Sequence, residues 1–198
     1  MGDCQSSLEN TKPSKSSIED ILVPSQKKSG TITTTTDQHQ ENVSSMASSP
    51  TFGPPKLKLV YHLNFNVAEP VITGSGPFGT RALIHILNGK FQGYEGFEDF
   101  HGEIIAPSAD LAMVHADGSG VTLNVNITMK LHDGNTILGN VIGKSERDPN
   151  NPANARIHTG KSFEVGVDRY KWMNSQVFVG YGRKEGTNIR LDYYQVID

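Results

Sequence analysis

Residues 121–131 read VTLNVNITMKL, and every second position in this stretch is apolar. The positions between them are polar, and the last of these is Lys130. Strict alternation over this length predicts a β-strand with one apolar face and one polar face. Residues 57–67, LKLVYHLNFNV, repeat the pattern, with Val60 as the exception. The fold is therefore built on strands whose two faces meet different environments.

The remainder of the organised region reads in the same way, and no convincing amphipathic helix interrupts it. Asn88-Gly89, Asp117-Gly118 and Asp133-Gly134 are turn signals, because these pairs tolerate positive φ. About nine strands joined by short turns predict an all-β domain, either an antiparallel sandwich or a barrel. YKWMN (170–174) is compatible with one helical turn. The further predicted strands are 80–87, 103–106, 110–115, 136–143, 156–160, 175–182 and 189–197.

Composition divides the chain into two parts. Residues 1–52 are rich in Ser, Thr, Gln and Lys, and such a segment cannot bury enough apolar surface to offset its chain entropy. We predict a disordered tail over 1–52 and one β-domain over 53–198. Met46 stands just before the organised region, which makes it a candidate start of the protein.

Charge and cysteine content exclude several classes of protein. The net charge of −3 gives no electrostatic reason to expect a nucleic-acid partner. The single cysteine, Cys4, allows no internal disulfide framework. No run of about 18 apolar residues exists to span a membrane, and the N-terminus lacks the layout of a secretory signal. A cytoplasmic location is the expectation.

Cofactor and metal motifs are weak in this sequence. The seven histidines show no His-x-His or four-residue spacing, so no metal is predicted. GSGPFG (74–79) is glycine-rich, but no helical pattern follows it to hold a phosphate. We therefore expect no cofactor.

Isolated ionisable residues within the strands are the candidates for chemistry. Asp110 opens an apolar strand, Arg81 opens another, and His158 and Glu164 flank TGKSF. A barrel mouth could bring a carboxylate, an imidazole and a cation together, and such a group transfers protons without a cofactor. The alternative for each is an ordinary surface residue, or an Asp110–Arg81 ion pair that holds two strands together.

An aromatic segment, RYKWMNSQVFVGYG (169–182), contains the only tryptophan of the chain, Trp172. Tyr170 and Asn174 lie beside it, directly before a predicted strand. Trp172 is either a core plug or the wall of a ligand pocket, and the two interpretations are compatible if the ring closes the interior on one side.

Five motifs occur in an order that resembles the family called domain of unknown function 3237. The resemblance runs from about Leu57 to Val196 and is most specific in the Y-x-W-x-N segment with its following F-V-G-x-G strand. The motifs are GPFGTR (76–81), NGKFQG (88–93), EIIAPSAD (103–110), LHDGNTI (131–137) and FEVGVDRYKWMNSQVFVGYG (163–182).

The resemblance implies a single antiparallel β-barrel of calycin-like form. Some fungal members are similar to cofactor-free enzymes of secondary metabolism, which close an oxygen ring on an aromatic polyketide by hydroalkoxylation. A cyclase or isomerase acting on a small aromatic substrate is thus one expectation. The alternative is a barrel that binds or carries a hydrophobic metabolite, and a homo-oligomer is compatible with either. The candidate residues are Asp110, Glu164, His158 and Arg81 for catalysis, and Phe78, Lys130, Tyr170, Trp172 and Asn174 for substrate binding.

Overall fold

The computed structural model describes residues 53–197, and the predicted tail over 1–52 lies outside this range. The described chain forms nine strands and a 3₁₀ helix, Asp168–Ser175, between the seventh and eighth strands. The strands are β1 (Lys56–Val67), β2 (Val71–Gly76), β3 (Gly79–Gly93), β4 (His101–Val114), β5 (Gly120–Leu131), β6 (Thr136–Arg147), β7 (Asn154–Glu164), β8 (Phe178–Glu185) and β9 (Asn188–Ile197).

Eight of these strands close into a barrel. From β3 to β9 each strand pairs antiparallel with the next in the chain, β9 pairs with β1, and β1 pairs with β3. A closed ring has no free sheet edge, so each of its strands has a hydrogen-bonded neighbour on both sides. β2 lies outside the ring and pairs with β3 alone among the described strands. The single antiparallel β-barrel expected from the sequence is confirmed.

Strand β3 changes partners along its length. Its first residues pair with β2 and its last residues, 86–93, pair with β1. The turn predicted at Asn88-Gly89 is wrong, because both residues lie within β3 near an irregularity in its pairing with β4. A Cβ at Gly89 would stand 2.5 Å from the Cβ of Phe65. This glycine is therefore needed for close packing against β1 rather than for a turn.

Strand β4 joins two strands that were predicted separately, over 103–106 and 110–115. A bulge between them interrupts the pairing with β5, from Ile105 to Ala109. The Ser108 hydroxyl fills the gap by accepting a hydrogen bond from the Thr128 N–H at 2.8 Å. The turns predicted at Gly118 and Gly134 are confirmed, with φ of 72° and 88°.

The core fills the barrel with the apolar faces of the alternating strands. At its centre, the rings of Tyr61 and Tyr193 stack with centroids 4.9 Å apart. Phe100 meets the Tyr61 ring edge-on at 5.3 Å. Further buried aromatic side chains surround them, namely Phe91, Phe163, Tyr170 and Phe178.

The two ends of the barrel differ. The 3₁₀ helix covers the end where β1 and β8 begin and β7 ends, with Tyr170 and Met173 buried beneath it. At the opposite end, which we call the mouth, inward-facing Ile84, Leu123, Val125 and Ile189 are only partly buried. The loop over 148–153 and the β2–β3 hairpin lie at the mouth. No helix within residues 53–197 is long and apolar enough to cross a membrane.

Candidate functional site

Asp110 on β4 and Lys161 on β7 are a carboxyl group and an amine that lie buried inside the barrel. The strand register links them through Val125 and Val141, since Asp110 pairs with Val125, Val125 with Val141, and Val141 with Lys161. All four residues belong to one row that points inward, because directly paired residues share a face of the sheet. The fold thus places an acid and a base in the same apolar interior.

Asp110 is a buried carboxylate that forms no ion pair within residues 53–197. It is 7% exposed, and its Oδ1 accepts a hydrogen bond from the Asn124 N–H at 2.8 Å. Burial raises the pKa of Asp110 to about 6, and the hydrogen bond from Asn124 opposes this shift only in part. A carboxyl group with such a pKa exchanges protons readily near neutral pH.

Lys161 lies deeper in the barrel and is 2% exposed. Its Nζ is 3.3 Å from the Met129 Sδ and 4.5 Å from the centre of the Phe163 ring. No ion pair of Lys161 exists among residues 53–197, and burial lowers its pKa to about 7. Gly139 leaves room for the side chain, since a Cβ there would lie 2.5 Å from the Lys161 Cε.

Aromatic rings and hydroxyl groups surround this amine. The Lys161 Nζ lies 4.9 Å from the centre of the Tyr193 ring and 5.4 Å from that of Tyr61, which are distances typical of cation–π contacts. The Thr159 hydroxyl donates to the Tyr193 hydroxyl at 3.4 Å, whereas the buried Tyr61 hydroxyl has no hydrogen-bond partner in the described part of the chain, 53–197. Burial raises the pKa of Tyr61 well above its usual value, so this hydroxyl stays protonated.

The other three predicted catalytic residues do not join this interior group. Arg81, His158 and Glu164 are all exposed on the outer face of the barrel. They alternate with inward-facing neighbours, so the pleat of the strand directs their side chains outward. The His158 ring contacts the Tyr181 ring at 5.2 Å. Among residues 53–197, no three His, Cys, Asp or Glu side chains come together.

The Asp110–Arg81 ion pair considered from the sequence is absent from residues 53–197. Asp110 pairs with Ile84 across the β3–β4 ladder, whereas Arg81 pairs with Met113. The two charged side chains therefore stand on opposite faces of the sheet. Asp110 is left without the structural explanation that such a pair would have provided.

The predicted substrate-binding residues lie away from the interior acid and base. Lys130 is exposed and forms an ion pair with Glu103 at 3.3 Å. Phe78 is 75% exposed in the turn between β2 and β3. Neither side chain faces the interior of the barrel.

Tyr170, Trp172 and Asn174 close the end of the barrel opposite the mouth. The Tyr170 hydroxyl donates to the Asp99 carbonyl at 2.9 Å. The Asn174 side chain accepts from the Val165 N–H at 2.8 Å and donates to the Val165 carbonyl at 2.9 Å. The Trp172 ring packs 5.6 Å from Phe97 and 6.0 Å from Phe178, which agrees with the core-plug interpretation.

The sequence reasoning missed Lys161, although a signal for it exists. Ile157, Thr159, Lys161, Phe163 and Val165 alternate with exposed positions, and this period of two places the lysine on the apolar face. The strand was predicted to end at Gly160, so Lys161 fell outside it. Continuing the alternation from Gly160 to Val165 would have placed the Lys161 amine on the buried face of the strand.

The fold and site together define a closed antiparallel β-barrel with a buried carboxylate and a buried amine in its interior. The chain belongs to the family described as Protein of unknown function (DUF3237), whose model matches residues 55–196. The resemblance inferred from the sequence motifs is thereby confirmed.

Similar proteins come from bacteria and a fungus. A UPF0311 protein of Clostridium acetobutylicum is 28% identical over 152 residues, which cover 69% of this chain and 91% of that protein. A β-barrel-like protein of Acinetobacter baumannii has a TM-score of 0.63 at 20% identity, over 73% of this chain and 97% of that one. An enzyme from Penicillium herquei has a TM-score of 0.57 at 21% identity, over 74% and 98%. At these identities, the two structures show the fold alone.

Proposed function

We propose that this protein is a cofactor-independent enzyme that closes an oxygen ring on a small aromatic compound, by adding a hydroxyl group across a conjugated double bond. The observation that carries the proposal is Asp110, a buried inward-facing carboxylate with a pKa of about 6 and no ion pair to any residue of 53–197. Burying a carboxylate without a cation costs free energy, and perturbed groups of this kind cluster at functional sites.

The reaction needs one proton to be removed from the substrate and one proton to be returned to it. Asp110 removes the proton of the substrate hydroxyl, and the oxygen forms a bond to the β-carbon of an enone. The double bond shifts to give an enolate, which takes a proton at its α-carbon from the Lys161 ammonium. The substrate and product are isomers, and proton exchange with solvent then returns Asp110 and Lys161 to their starting protonation states.

The two pKa values suit these roles. Lys161, with a pKa of about 7, is present in both protonation states near neutral pH, as general acid–base catalysis requires. Positioned acids and bases contribute roughly 10²–10⁴-fold in rate, which is useful for a ring closure that also proceeds slowly unaided. The family resemblance to fungal ring-closing enzymes supports this class of reaction, and the Penicillium herquei protein that shares the fold is described as an enzyme.

A non-catalytic barrel that carries a hydrophobic metabolite is the second candidate. The observation that favours it is the apolar wall at the mouth, where Ile84, Leu123, Val125 and Ile189 are partly exposed. Ligand pockets are lined mainly by such side chains, whether or not chemistry follows. The same experiment separates the two candidates.

The test uses 2′-hydroxychalcone, whose phenol adds to its own enone to give flavanone. We expect the native protein to accelerate flavanone formation and to enrich one enantiomer, as measured by chiral chromatography. Asp110→Asn should lower kcat at least tenfold, equivalent to about 1.4 kcal/mol of barrier, because the amide cannot accept the proton. The amide oxygen can still accept the Asn124 hydrogen bond, so the fold should be kept.

Glu164→Gln is the matched control, since it removes a carboxylate from the outer face of β7. Its rate should equal that of the native protein. Racemic product at the uncatalysed rate, together with retention of the chalcone in equilibrium dialysis, would favour the carrier. Loss of rate in Glu164→Gln but not in Asp110→Asn would move the catalytic carboxylate to the outer face and overturn the assignment.

A further inference from the structure

A cavity of about 280 Å³ lies at the rim of the mouth, where β6 ends, β7 begins and β8 ends. Arg147, Ala155 and Lys184 contribute to its lining. The register pairs Arg147 with Ala155 and Ala155 with Lys184, so these residues form one row. This row shares the face of Ile157 and Thr159, which point into the barrel. Two cations thus stand on the inner face at the mouth, with a small alanine between them.

The acidic residues of the cavity already have other partners. The Glu146 carboxylate forms an ion pair with Arg156 at 3.0 Å, and Glu185 pairs with Arg190. Asp148 accepts a hydrogen bond from the Asn150 N–H at 2.8 Å. Within residues 53–197, neither Arg147 nor Lys184 forms an ion pair.

The two cations also act on one another. Burial is the main cause that lowers the pKa of Lys184, the negative charge of Glu69 opposes it, and the positive charge of Arg147 lowers it by a smaller amount. The Lys184 Nζ donates one hydrogen bond, to the Ala153 carbonyl at 3.2 Å, and no other acceptor for it is found among residues 53–197. An ammonium group has three donors, so Lys184, which shares a row with Arg147, has donors left for an anion that binds both cations.

We propose that this cavity is an anion subsite, in which Arg147 and Lys184 bind the carboxylate of a small aromatic acid whose apolar part enters the mouth. The proposal rests on the proposed function in one respect, namely that the acid belongs to the substrate of the barrel. A monoanion fits better than a phosphate dianion, because Glu146, Asp148 and Glu185 also lie around the cavity. The planar guanidinium of Arg147 matches a carboxylate in a bidentate arrangement.

The binding test compares trans-cinnamate with its neutral amide, trans-cinnamamide, by isothermal titration calorimetry on the full chain at low salt. We expect the native protein to bind cinnamate at least tenfold more tightly than cinnamamide. Arg147→Gln and Lys184→Gln should each lower the affinity for cinnamate toward that of the amide, while the affinity for the amide stays unchanged. Added salt should weaken the binding of cinnamate only.

Lys130→Gln is the control, because it removes one positive charge on the outer face, near the closed end of the barrel. It should leave cinnamate binding unchanged. Arg147→Lys should restore part of the affinity lost in Arg147→Gln, and a thermal melt of each variant checks its fold. Equal affinity for cinnamate and cinnamamide, binding of neither compound, or an equal loss in Lys130→Gln would overturn the subsite.

The chalcone assay distinguishes this proposal from the proposed function, since 2′-hydroxychalcone carries no carboxylate. Enantioselective cyclisation without a preference for cinnamate would retain the enzyme and reject the subsite. A preference for cinnamate that depends on Arg147 and Lys184, without any cyclisation, would retain the subsite and reject the enzyme.

Discussion

Lys161 and Asp110 carry opposite charges on one inward-facing row of the barrel, yet neither has an ionic partner in the described chain. Their pKa values, about 7 and about 6, both move toward neutrality because burial disfavours the charged form of each. The native state therefore bears a free-energy cost at both residues. Proteins retain such costs mainly where function requires them.

Lys161→Met should remove a pH dependence of stability. The folded-state pKa is about 7 and the unfolded value about 10.4, so between these pH values the unfolded state binds more protons. The stability of the native protein should thus rise with pH through this window, relative to the variant. At pH 6 the variant should be more stable by on the order of 4 kcal/mol, as measured by urea denaturation.

Lys90→Met is the control for this measurement, because Lys90 is exposed on the outer face of β3. Its stability should follow that of the native protein at both pH 6 and pH 9.5. Identical pH profiles for the native protein and Lys161→Met would mean that the amine reaches solvent in solution.

At the residue scale, the sequence made Asp110 a candidate for chemistry but did not give its surroundings. An acid that opens an apolar strand is visible as a break in hydropathy, whereas the orientation of Arg81, His158 and Glu164 depends on which face of the sheet turns inward. The alternation defines two faces without saying which one is buried. Lys161 was missed because the strand that carries it was predicted to end one residue earlier, at Gly160.

At the element scale, the side chains of Asn174 and Trp172 hold the 3₁₀ helix at the closed end of the barrel. Asn174 binds both backbone groups of Val165 and so continues the hydrogen bonding of β7 beyond its last residue. Trp172 fills the gap between Phe97 and Phe178. The hydrogen bonds of a 3₁₀ helix have poorer geometry than those of an α-helix, so these side-chain contacts help to fix its position.

Trp172→Ala should destabilise the barrel without weakening ligand binding at the mouth. The ring is partly buried, so the loss should lie at the lower end for a large aromatic residue, about 3 kcal/mol by urea denaturation. Affinity for trans-cinnamate should be unchanged, because the helix covers the other end of the barrel. Trp172→Phe keeps the contact with Phe97 and should lose less stability.

A different result would relocate the ligand site. Native stability together with weakened cinnamate binding in Trp172→Ala would place Trp172 in a pocket wall, the interpretation that the sequence left open.

The strands themselves were predictable, since the period-two pattern reports local pleating. The bulges in β3 and β4 were not predictable, because they depend on packing against β1 and β5.

At the scale of the whole molecule, the ring of strands uses only residues from Lys56 onward. The barrel architecture followed from the number of strands and from the family resemblance, whereas the place of β2 outside the ring did not. Strand count fixes neither the partner of each edge nor the point at which β3 changes partners.

A chain that starts at Met46 should keep the full stability of the protein. Residues 1–45 contribute none of the strands described, so the melting temperature in differential scanning calorimetry should match that of the complete chain. The complete chain, assayed at equal concentration, is the reference for flavanone formation. A lower or broadened transition in the shortened chain would show that the first 45 residues contact the barrel.

The pairing of β1 with β9 has a consequence for folding while the protein is being synthesised. His62 and Asp192, whose side chains meet at 2.6 Å across this pairing, are 130 residues apart in the chain. Because the ribosome releases the N-terminal residues first, β1 emerges long before its partner is synthesised. The nascent barrel therefore keeps two open edges, on β1 and β8, until β9 has left the ribosome. Those edges are what a chaperone, or a neighbouring chain on the same polysome, would encounter.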